Sequence, residues 1–92
     1  MPDFNKAIEL NSNYADAYFG RGNTKGKLSD YKGAILDFDK AIELNPDLAI
    51  AYMGRGLAKH FLGDNDGACI DWNKAAKLGF VDPDDNIKKY CK

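Results

Sequence analysis

Few side chains in this 92-residue sequence could carry chemistry: one histidine, two cysteines, and 14 acids set against 13 Lys and Arg. His60 has no second histidine or cysteine near it in sequence, so it builds neither a metal set nor a nucleophile–base pair, and a surface or groove place is expected. Cys69 and Cys91 lack the spacing of a metal motif and are too few for a disulfide framework. Cys69 falls on the apolar side of a helical pattern, which suits a reduced core cysteine. Gly20-Arg21-Gly22 and Gly54-Arg55-Gly56 are not phosphate loops, since they lie inside helical patterns without a preceding strand or a Gly-Lys-Ser/Thr ending. Glu9, Asp37, Asp39, Glu43 and Asp71 read as solvated charges on outer helix faces. No catalytic residue, metal ligand or cofactor site emerges, and a non-enzyme is expected.

One charge pattern is ordered. Asp3, Asp37 and Asp71 recur 34 residues apart, as do Arg21 and Arg55. If successive units stack, Asp3 can meet Arg21 and Asp37 can meet Arg55 across the unit boundary. The alternative is that each faces solvent independently.

The bulk composition excludes other partner classes. A net charge of −1 and a pI near 5.7 provide no clustered positive field for nucleic acid or anionic membrane. No apolar run is long enough to span a bilayer. Met1-Pro2-Asp3-Phe4-Asn5-Lys6 has no basic flank followed by an apolar stretch, so a cytoplasmic address is the default expectation.

The elements that position these residues repeat. Shifted by 34, residues 3–48 lie over residues 37–82 with 23 of 46 positions identical, far above chance. Ala17-Tyr18-Phe19-Gly20-Arg21-Gly22 lies over Ala51-Tyr52-Met53-Gly54-Arg55-Gly56. Within a unit, Ala34, Ile35, Phe38, Ala41 and Ile42 are spaced by three and four along one helix face, and Ala68, Cys69, Trp72, Ala75 and Ala76 repeat the stripe. The segments near 14–27 and 48–61 read as a second helix per unit. Asp30 and Asp64 are placed to cap the helices after them, and Pro46 closes one unit. Gly79 suits a left-handed stop, and Asp82-Pro83-Asp84-Asp85 opens a short terminal helix. One domain over 1–92 is expected: a half unit at 1–14, full units at 15–48 and 49–82, and a capping helix at 83–92.

Helix pairs of 34 residues with Tyr18, Gly22, Ala34, Phe38, Ala41 and Pro46 in one unit, and Tyr52, Gly56, Ala68, Trp72 and Ala75 in the next, resemble the tetratricopeptide repeat (TPR). Arg21 and Arg55 hold a place usually given to leucine, and Lys25 and Lys59 one usually given to tyrosine. The resemblance implies an all-α, right-handed solenoid of antiparallel helix pairs. Gly22 and Gly56 would then face Ala34 and Ala68 where the helices approach closely.

The resemblance also implies a concave face built from the first helix of each pair. Counted by three and four, it should carry Asp16, Phe19, Asn23 and Lys27, then Ile50, Met53, Leu57, His60 and Phe61. Gly20 and Gly54 would lower its floor for a ligand backbone. Such a groove suits a protein or peptide ligand, or a partner helix. The Lys/Asn/Arg clamp for a C-terminal carboxylate found in some family members is not expected, because only Asn23 stands on a matching place. The leading expectation is an adaptor holding a partner in this groove.

The opening half unit supports a rival expectation. Its helix, about 3–11, is too short to stand alone, and without its partner helix Phe4, Ala7 and Ile8 would face water. Either the chain is a piece of a longer array, or a second copy covers that face in a homodimer.

Overall fold

Three left-handed residues and two aspartates punctuate the chain. The structure is a computed structural model describing residues 14–80 and 86–91. Its helices are α1 (Ala15–Lys27), α2 (Tyr31–Leu44), α3 (Ala49–Phe61), α4 (Asn65–Lys77) and α5 (Asn86–Tyr90). Ser29, Gly63 and Gly79 have φ of 66°, 90° and 94° and end α1, α3 and α4 in the same way. In each turn the next amide reaches back to a carbonyl five residues earlier: Asp30 to Lys25, Asp64 to Lys59, and Phe80 to Ala75, at 2.8–3.0 Å. These bonds satisfy carbonyls that a helix end would otherwise leave unpaired.

The helices that follow start on side-chain caps. Asp30 Oδ1 accepts from the Gly33 amide at 3.1 Å, and Asp64 Oδ1 from the Gly67 amide at 2.9 Å. After α2, Asn45 Oδ1 accepts from the Asp47 amide at 3.2 Å across Pro46, which turns the chain into α3.

With those turns fixed, α1 packs on α2 and α3 on α4 as antiparallel pairs, α2 stacks on α3, and α5 lies on α4. No strand occurs among the described residues. Small residues bring the helices together: Ala34, Ala41, Ala51, Ala68 and Ala75 are fully buried. A Cβ added to Gly56 would lie 2.6 Å from Trp72 Nε1 and 3.1 Å from the Ala68 carbonyl oxygen, so the close approach expected there is present. Trp72 fills the centre of one cluster with Tyr52, Met53, Ala68 and Ala75, while Phe38 joins Ala34 and Ala58 in the other. The half unit expected at 1–14, with Phe4, Ala7 and Ile8, lies outside the described residues.

The cysteines depart from expectation. Cys69 and Cys91 are joined in a disulfide that ties α4 to the end of α5. Cys69 is half-buried at the edge of the Trp72 cluster and bonded to Cys91, where a reduced core cysteine was expected.

Candidate functional site

The reactive residues of the first helices are mostly consumed by structure. Arg21 holds Asp37 with two bonds, Nε to Oδ2 at 2.9 Å and Nη2 to Oδ1 at 2.7 Å, while Lys25 Nζ lies 3.2 Å from Asp37 Oδ2. The next unit repeats this: Arg55 donates to Asp71 at 2.8 and 2.7 Å, with Lys59 Nζ at 3.1 Å. Asp37 and Asp71 are only 3% and 1% exposed, so they are buried carboxylates and not the outer-face charges expected. The expected Asp37–Arg55 pair is also replaced. Each Asp is held within its own unit, and Arg55 crosses the boundary to Asp39 at 2.9 Å instead. The Asp3–Arg21 pairing lies outside the described residues.

These bonds raise both guanidinium pKa values, Arg21 through its bond to Asp37 and Arg55 through Asp71 and then Asp39, against the opposing effect of burial. Arg21 and Arg55 also lie over the rings of Tyr18 and Tyr52, at 5.6 and 5.4 Å. In the places usually given to leucine and tyrosine, Arg and Lys of the first helix therefore grip an Asp of the second.

A pocket of about 190 Å³ opens between the two helix pairs. Asn23, Gly26 and Lys27 of α1 form one side, Gly54, Leu57, Ala58 and Phe61 of α3 the other, and Tyr31 and Phe38 of α2 the back. Phe61 is 60% exposed and stacks on Tyr31 with ring centroids 5.0 Å apart. Gly54 admits the Phe38 ring, since a Cβ there would lie 2.7 Å from Phe38 Cζ. Its missing side chain thus serves the stacking of α2 on α3, and Gly54 also lines the pocket.

The expected groove residues are distributed as follows. Asn23, Lys27, Leu57 and Phe61 come together at this pocket. Phe19 lies beside it, its ring 5.7 Å from that of Phe38. Asp16 and Ile50 are exposed in the first turns of their helices, away from the pocket lining. Met53 is 7% exposed and belongs to the Trp72 core, so it lines no groove. His60 turns toward α5: its Nδ1 is 2.7 Å from Asn65 Oδ1, and its ring is 4.3 Å from Tyr90.

Tyr31 and Phe38 belong to the second helix, which forms the back wall of a face that the repeat pattern assigns to first helices alone. The 34-residue shift carried the signal. It sets His60 over Gly26, so the place left open by glycine in the first unit is filled by imidazole in the second. Among the described residues no group of three or more His, Cys, Asp or Glu could hold a metal ion, and no helix is long and apolar enough to cross a membrane.

Comparison with known proteins places this architecture. Residues 15–48 match the tetratricopeptide repeat model. No curated protein matches the chain. Among solved structures, it is similar to YrrB, described as a TPR protein with an unusual peptide-binding site, at 30% identity and a TM-score of 0.83 over 87% of this chain. It is also similar to MamA, at 33% identity and a TM-score of 0.78 over 82% of this chain. The chain spans 41% of that YrrB chain and 44% of that MamA chain.

Proposed function

Since this chain is a tetratricopeptide repeat protein, we propose that it acts as a non-enzymatic adaptor that holds a peptide or partner helix in the groove along α1 and α3. The family generally serves protein–protein interaction and is typically non-catalytic. The observation that carries the reading is the pocket between the pairs, backed by Tyr31 and Phe38 and flanked by Leu57 and Phe61. Apolar walls with a few polar groups at the rim are what a side chain of a bound peptide requires. Asn23 and Lys27 supply that rim, and both are exposed. The peptide-binding site named for YrrB supports the same reading.

Selection from a displayed library of random peptides tests it. The chain should enrich peptides with a recurrent apolar residue, and Leu57→Asp or Phe61→Asp should abolish their binding. Leu36→Glu and Ile70→Glu alter side chains 70% and 69% exposed on second helices, outside this pocket, and should leave binding unchanged. Enrichment of no peptide, or loss of binding only in the second pair of variants, contradicts the proposal.

A further inference from the structure

The Cys69–Cys91 bond adds a covalent tie between α4 and α5, a helix that also buries Asn86. Helix α5 has five residues, too few to persist alone. It rests on α4 through Ile87 and Cys91 against the Trp72 cluster, and through the Tyr90 ring, 4.3 Å from His60 and 6.1 Å from Trp72. In the 34-residue register Cys69 stands where Ile35 does, and Cys91 where Leu57 does. The covalent bond thus lies at the junction where one pair receives the next helix. The bond is reachable, because both cysteines line an open cleft of about 570 Å³ together with Asn65, Asp66, Ile70, Asn73 and Tyr90.

We propose that this disulfide is a redox latch: intact, it pins α5 over His60 and Trp72, and its reduction by a dithiol releases α5 from α4. A thiolate of the dithiol attacks Cys91 Sγ, forming a mixed disulfide, and Cys69 leaves as a thiolate that takes up a proton. The second thiol of the reagent then attacks its own sulfur in the mixed disulfide. The reagent leaves as a cyclic disulfide, and Cys91 becomes a thiol. Two electrons and two protons pass from the dithiol to the cysteine pair. Release bares the ring of His60, which neighbours Phe61 at 5.6 Å, and so extends the row of rings beyond the pocket. That last consequence alone rests on the proposed groove; the latch does not.

Trp72 is the single tryptophan and is 0% exposed, so it reports on the latch directly. Acrylamide quenching of its emission is measured on the full chain, air-oxidised and after dithiothreitol, with far-UV circular dichroism alongside. Reduction should raise the quenching constant about twofold and shift emission to the red while most of the helical signal remains, as in local opening. Cys91→Ser should show the reduced value without dithiothreitol. Equal quenching before and after reduction overturns the latch, as does finding two free thiols in the air-oxidised chain by alkylation and mass spectrometry. Loss of the whole helical signal on reduction also overturns it, since the bond would then hold the entire fold.

Discussion

Asp71 lies between Arg55 and Lys59, almost wholly removed from water, and its value to the fold comes from having both cations in place. Removing Asp71 takes the carboxylate from Lys59 and leaves Arg55 the half-exposed Asp39, so Asp71→Ala should destabilise by about 3 kcal/mol in urea unfolding. Asp39 bonds the same guanidinium but is half exposed, and Asp39→Ala should cost about 1 kcal/mol or less. Equal losses for the two would mean that burial does not set their weight. Gly56 makes a second prediction at this scale. The indole of Trp72 occupies the space a methyl would need, so Gly56→Ala should cost about 1–3 kcal/mol. An unchanged midpoint would contradict that packing. The recurrence of these Asp and Arg residues was legible in the sequence, but their pairing was not. A 34-residue period says that Asp37 and Arg55 each have counterparts. Whether an Arg reaches forward by 16 residues or back by 18 depends on side-chain direction across a particular helix crossing.

Among the elements, the turn between α1 and α2 is the weakest of its kind. Ser29 adopts at φ 66° a conformation that Gly63 and Gly79 reach without cost from a side chain. Ser29→Gly should therefore raise stability by about 1 kcal/mol, measured as a higher urea midpoint at unchanged slope. Asp64→Ala removes the cap on the Gly67 amide and should cost about 1 kcal/mol, localised as faster amide exchange in the first turn of α4. The four helices of the two pairs, the Asp30 and Asp64 caps and the left-handed stop at Gly79 were readable, because each rests on local residue types. Helix α5 was readable as an element, but its bond was not. Cys69 looked like core because it continues the stripe of Ala68 and Trp72, and only the stacking of α5 on α4 brings Cys91 to it. The helical count likewise put Met53 and His60 on the groove. The wider apolar face of α3 took Met53 into the core, and the arrival of Tyr90 drew His60 away from the pocket.

For the whole molecule, the 34-residue repeat has two consequences. Identity between units builds the frame, with Arg, Lys and Asp locked in the same places and Gly and Ala at the close approaches. Differences between units build the surface. Gly26 against His60, Tyr31 against Asn65 and Lys27 against Phe61 leave an open pocket between the pairs and a filled place beneath α5. The departures show when the two units are compared, but helix stacking decides which residues face the gap between the pairs, which is why Tyr31 and Phe38 escaped the sequence. At this scale the proposed role comes down to the pocket receiving a side chain of a bound peptide. Its most direct test is amide chemical-shift mapping of the labelled chain with the peptide most enriched in the selection above. Saturable shifts are expected at Asn23, Lys27, Tyr31, Leu57 and Phe61, with Leu36 and Ile70 unmoved. Shifts confined to the surface around Leu36 and Ile70, with the pocket silent, would contradict it.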